Sequence, residues 1–192
     1  PRGGRQVANR SAGRPGPPVP HRQLQEPYMQ SSAALFAAVF ATLWVAHTVG
    51  DHWVQTSAQS AHKGENDKNP GQSSRIGRHA CTRHVIGLTI TKGILLAASA
   101  VALDLQISAA GVTAGLALDA GSHWWADRRS TLAWLAKVAG KAEFYRLGTD
   151  TVHTTTGTDG ITGKHIGSGA YALDQSFHAL FLFFAALIIA TV

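Results

Sequence analysis

A chain of 192 residues with Lys+Arg 17, Asp+Glu 11 and a mean hydropathy of +0.00 has the average composition of an ordinary soluble protein. That average conceals a sharp segregation, since polar residues fill a few stretches and apolar ones fill others. A single cysteine, Cys81, excludes an internal disulfide and a CxxC zinc motif.

Residues 1–28 are rich in Arg, Gly and Pro, as in Arg14-Pro15-Gly16-Pro17-Pro18, and lack apolar periodicity. They read as a disordered basic tail. No apolar core follows a short basic region there, so a signal peptide is not expected. Met29 is the only methionine and stands just before the first apolar run. The expectation is that Met29 is the true start, with 29–192 forming a single helical membrane domain.

Four apolar stretches follow in chain order. The first runs from Ala33 to Gln55 and ends His47-Thr48-Val49-Gly50-Asp51; after a hydrophilic loop, 56–83, the second runs from His84 to Leu105. A short turn from Asp104 to Ser108 leads into the third, Ser108 to Asp127, which ends His123-Trp124-Trp125-Ala126-Asp127. The segment 128–170 opens with Arg128-Arg129, and its apolar residues Leu132, Leu135, Val138, Ala139 and Ala142 have helical spacing. That spacing predicts an amphipathic helix lying at the membrane interface. Thr149–Gly169 reads as a flexible loop, with His153 and His165 solvated. The fourth stretch runs from Tyr171 to Val192. Each stretch is near the roughly 20 residues needed to cross about 30 Å of hydrocarbon, so the expected fold is all-α, a four-helix transmembrane bundle. A soluble bundle is the alternative, but the polar faces it needs are missing from stretches one, two and four.

The charges set an expected orientation. Loops 56–83 and 128–170 carry eleven Lys/Arg, whereas the opposite side carries none if the chain starts at Met29. The long loops should therefore face the cytoplasm. The basic loops are thus accounted for, no helix-turn-helix-like segment is present, and no nucleic-acid partner is expected; the lipid bilayer is.

Three His/Asp pairs stand four residues apart: His47 and Asp51, His123 and Asp127, Asp174 and His178. On a helix that spacing puts both members on one face. With His84 at the start of the second stretch, seven ionisable groups from four helices should meet at the cytoplasmic side. Such groups are costly at membrane depth and normally pair or serve a function. Imidazole mixed with carboxylate suits a divalent metal such as zinc, manganese or iron, and seven candidates exceed one tetrahedral set. On this reading His47, Asp51, His84, His123, Asp127, Asp174 and His178 are metal ligands, with Asp51, Asp127 and Asp174 also candidates for acid/base catalysis on a phosphoester or lipid-like substrate. The same residues would also suit a structural polar network or a proton or ion pathway. Lys92 could bind an anion, pair with a carboxylate or snorkel to the surface. Trp53, Trp124, Trp125 and Tyr171 read as interfacial anchors. Cys81, His79, His52 and Asp119 carry no assigned role.

The run His47-Thr48-Val49-Gly50-Asp51-His52-Trp53-Val54-Gln55-Thr56 resembles the opening motif of a bacterial membrane family catalogued as domain of unknown function 3307. His84, His123-Trp124-Trp125-Ala126-Asp127-Arg128 and Leu173-Asp174-Gln175-Ser176-Phe177-His178 resemble its later motifs in the same order. The resemblance covers about Ser31 to Val192 and implies a helical protein of the bacterial inner membrane whose histidines and aspartates form a shared core. A looser similarity links the pattern to LexA-regulated membrane-bound metal-dependent hydrolases, and by analogy implies hydrolysis of phosphoester or lipid-like substrates.

Overall fold

The computed structural model describes residues 31–148, 154–156, 162–164 and 167–192. The basic tail with Met29, and His153 and His165, lie outside the described residues.

Helix α1, Ser32–Val49, starts where the Ser31 side chain accepts a hydrogen bond from the Ala34 amide at 3.2 Å. It passes directly into a π-helical turn, Gly50–Val54, closed by the Gln55 amide donating to Gly50 O at 3.0 Å. Gly50 packs against Leu88, and any side chain there would collide with it. Thr56 and Gln59 form a reciprocal capping box that starts the short α2, Ser57–His62.

Helix α3, Ser74–Leu103, begins ten residues earlier than the second apolar stretch. His84 therefore does not open the helix but sits a third of the way along it. The apolar run marks the part able to lie in hydrocarbon, whereas the N-terminal third carries Arg75, Arg78 and Arg83 and is helical without being apolar. At 1.5 Å per residue the whole helix is about 45 Å long, more than one bilayer core. It stops at Asp104, which takes a left-handed conformation at φ 50°. Ser108 then caps α4, Ala109–Asp127, accepting from the Gly111 amide at 2.8 Å. The remaining elements are α5, Ser130–Val138, α6, Ala142–Arg146, and α7, Ser168–Thr191. Between α6 and α7, where a plain loop was expected, an antiparallel hairpin pairs β1, Thr154–Thr156, with β2, Thr162–Lys164.

Among the described residues three helices are long and apolar enough to cross a membrane: α1 with its π turn, α3 and α7. α4 has the length, but Gly111, Gly115, Asp119, Gly121, Ser122 and His123 reduce its apolarity, and a fourth span is not shown among the described residues. Its glycines have another use. A side chain at Gly115 would come within 2.7 Å of Ile189 Cγ1 and 2.8 Å of Ala185 O, so glycine lets α4 lie tightly against α7.

The apolar core joins Leu35, Val39 and Leu43 of α1 to Leu96 of α3 and to Leu182 and Ile189 of α7. The outward surface is apolar as well: Ile94 is 63% and Val101 87% exposed. Exposed apolar side chains at that density along a helix match a lipid-facing surface. Helix α5 buries Leu132 and Ala136 and exposes Trp134 and Val138.

Candidate metal centre

The end of α1 supplies His47 and the π turn Asp51; α3 supplies His84, α4 His123 and Asp127, and α7 Asp174 and His178. Because each pair lies four residues apart, each helix directs both side chains to the bundle axis. His47, His84, His123, Asp127 and His178 are all buried.

At the centre, His84 Nε2 and His123 Nε2 are 3.1 Å apart. Asp51 Oδ1 lies 2.9 Å from His84 Nε2 and 3.5 Å from His123 Nε2. Asp127 Oδ2 lies 3.3 Å and 3.2 Å from the same two atoms. Bonds of about 2.0–2.2 Å at a tetrahedral metal put neighbouring ligand atoms about 3.3–3.6 Å apart, so the triad of His84, His123 and Asp127, at 3.1–3.3 Å, has nearly the spacing of a coordination shell, with Asp51 beside it. Around it, the His123 and His178 rings stack with centroids 3.9 Å apart. His47 Nε2 stands 3.6 Å from Asp51 Oδ2, and His178 Nε2 3.5 Å from Asp174 Oδ1. Three overlapping triads have ligand atoms within 4.8 Å of one another: Asp51, His123 and His178; His84, His123 and Asp127; and Asp127, Asp174 and His178.

The donor set fits a cation. Buried His178 Nε2 and both ring nitrogens of His47 have no hydrogen-bond partner among the described residues, and the only groups beside Asp51 Oδ1 and Asp127 Oδ2 at such distances are the imidazoles of His84 and His123. Buried polar atoms are nearly always satisfied; here the carboxylate oxygens have only imidazole nitrogens beside them, and His84 Nε2 and His123 Nε2 also face each other, an arrangement that a shared cation would satisfy. The buried His/Asp cluster could therefore hold a metal ion.

Lys63 is the cation already in place. It follows α2, and its Nζ sits 2.7 Å from Asp127 Oδ1. Burial alone would push its pKa down, but the carboxylates of Asp127 and Asp51 outweigh that and hold it above the ordinary value. Arg128 anchors this segment by donating to the carbonyls of Lys63 and Glu65. With the imidazoles neutral, three carboxylates and one ammonium leave a formal charge of −2, which one divalent ion would cancel. Deeper in the bundle, Lys92 pairs with Asp119, 2.6 Å from Nζ to Oδ2, so of the three roles weighed for Lys92 the carboxylate partner is the one seen.

A cleft of about 230 Å³ leads from the surface to the cluster. Asp51, Asp127 and Asp174 line it, with Lys63, Arg129 and Tyr145 among the other lining residues. Gln175 Nε2 donates to Asp51 Oδ2 and to Asp174 Oδ2, each at 3.4 Å. His52 also faces the cleft; its Nδ1 donates to Thr48 O at 2.9 Å, so its Nε2 can accept from the Tyr171 hydroxyl at 3.1 Å. Sequence reasoning brought all seven histidines and aspartates to this end but missed Lys63, Arg129 and His52. The only signal for Lys63 and Arg129 was their membership of the basic loops, and for His52 its place beside Asp51.

No family model, no curated protein and no solved structure matches the chain.

Proposed function

We propose that this chain is a four-span protein of the bacterial inner membrane, with α4 as the additional span, and that it hydrolyses phosphoester or lipid-like substrates with a divalent metal. The observation that carries this reading is the buried triad of His84, His123 and Asp127, whose ligand atoms stand near coordination spacing, with Asp51 Oδ1 2.9 Å from His84 Nε2. The order of the His/Asp motifs and their resemblance to the domain-of-unknown-function 3307 family support the same assignment. The eleven basic residues of the segments flanking the cluster support a cytoplasmic orientation.

In this reading His84, His123, Asp51 and Asp127 hold the ion, with His47, His178 and Asp174 beside it for a second ligand set or for proton transfer. A bound divalent cation supplies charge neutralisation and acidifies water. The protein's own groups do the rest. Lys63 fixes Asp127, Gln175 orients Asp51 and Asp174, and Asp174, at the cleft and near His178, is placed to take a proton and pass it on. Arg129 is placed to meet an anionic group entering from the surface. A non-enzymatic alternative, an ion or proton pathway or a structural network, draws support from the Lys92–Asp119 pair lying deeper along the same helices.

Elemental analysis of the detergent-purified protein tests the reading, with His123→Ala and His178→Ala alongside. Stoichiometric zinc, manganese or iron that is lost in both variants is expected, together with phosphoester hydrolysis that Asp127→Asn removes without unfolding the bundle. Absence of metal in wild type after reconstitution would transfer the weight to the non-enzymatic reading.

A further inference from the structure

The cleft at the cluster does not end in polar surface. Leu132 lines both the cleft and a second hollow of about 220 Å³ between α5 and α7. Leu135 and Phe177 line that hollow and also a groove of about 570 Å³ between α4, α5 and α7. The groove continues over Trp125, Trp134 and Phe181. A polar pocket facing the cluster thus adjoins, across Leu132 and then across Leu135 and Phe177, an apolar groove along the outside of the bundle.

The charge at the polar end is specific. Arg129 donates from Nη2 to Ser60 O at 2.9 Å and, among the described residues, forms no ion pair. If one divalent ion cancels the charge of the cluster, Arg129 remains as an uncompensated cation at the mouth. Head and tail requirements therefore adjoin: an anion beside Arg129 and a hydrocarbon chain over Leu132, Leu135 and Phe177.

Resting on the hydrolase reading above, we infer that the substrate is an anionic phosphate amphiphile, its phosphate in the cleft at Arg129 and its chain in the α4–α5–α7 groove. The chain is held selectively because its head is held, which separates this site from the general lipid contact of any membrane helix. Helix α5 forms one bank of the groove through Trp134 and Leu135, with its buried Leu132 on the side of the cleft.

Trp134 is a natural reporter. Wild type and Trp134→Phe are placed in phosphatidylcholine nanodiscs doped with 12-bromododecylphosphonate or with 12-bromododecylphosphocholine, and the Trp134 signal is taken as their difference. The phosphonate should quench it at a mole fraction about tenfold below that of the phosphocholine, the effect of one charge-assisted contact. Arg129→Gln should abolish the preference and leave equal quenching by both. Equal quenching in wild type would overturn the inference, because bulk lipid would then fill the groove. A preference that survives Arg129→Gln would overturn it as well, since the head would lie elsewhere. Metal content measured on the same discs reports separately on the metal centre, so loss of the amphiphile site and loss of the metal reading are told apart.

Discussion

Lys92 Nζ lies 2.6 Å from Asp119 Oδ2, and both residues are cut off from the surroundings, Lys92 at 0% and Asp119 at 2% exposure. Removing one partner of such a pair leaves a buried charge uncompensated. Lys92→Met should cost about 3–5 kcal/mol, and adding Asp119→Leu should recover most of the loss. Unfolding in detergent, followed for both single variants and the double, checks this. A double variant as unstable as Lys92→Met would show that the apolar pair cannot replace the ionic one.

Removing metal should loosen the bundle at its polar end. A ligand present at a hundredfold its dissociation constant stabilises the folded state by about 2.7 kcal/mol. For a chain of this size that is roughly 5–10 °C in melting temperature. Chelation of the wild type should lower the melting temperature by that amount, and Asp51→Asn should be nearly insensitive to the chelator. A wild type whose melting ignores chelation would favour the structural-network reading.

Arg129 takes φ 55° with ψ −47°, a conformation that side-chain-bearing residues rarely adopt. Glycine would relax it. Arg129→Gly is therefore expected to keep or raise stability by up to about 1 kcal/mol while removing the cation from the cleft. The check is thermal melting beside phosphonate binding in the same preparation. Loss of both together would mean that the side chain serves the fold rather than a ligand.

Asp67 closes the loop before α3. Its Oδ1 accepts from the Ser74 amide at 2.9 Å, and its own amide donates to Ser74 Oγ at 2.9 Å. Hydrogen bonds from the Ser74 backbone and hydroxyl hold its carboxyl below the ordinary 3.8. A carboxyl depressed in the folded state stabilises the loop above about pH 4, and that contribution fades as pH falls through the lowered value. Amide exchange at Ser74 should thus be faster in Asp67→Asn than in wild type at neutral pH, with the difference vanishing in acid. A difference independent of pH would assign the effect to loop shape rather than to charge.

The helical pairs were legible because a separation of four residues carries its own geometry: once the apolar runs are read as helices, His123 and Asp127 must share a face. The depth of the cluster was legible from where those runs begin and end. The start of α3 at Ser74 was not, because a helix emerging from hydrocarbon loses its apolar signature while keeping its hydrogen bonds. Lys63 and Arg129 were read as topology charges only, and it takes the turns after α2 and α4 to bring them to the cleft. The partnership of Lys92 with Asp119 joins two residues 27 positions apart on successive helices. Nothing local to either residue encodes it.

The π turn at Gly50–Val54 has a consequence for how the site is inherited. In an unbroken α-helix Gln55 would stand about 80° round the axis from His47, since eight residues advance at about 100° each. The wider π turn absorbs that excess, and Gln55 lines the same cleft as Asp51, its Nε2 buried and without a partner. One surplus residue in a single turn thus sets the rotational phase of everything after it. Deleting one of the five other than Asp51 would restore a regular helix and swing Gln55 away from the cleft without removing any group of the cluster. At this point the site depends on a count of residues, and chain-length changes threaten it more than most substitutions would.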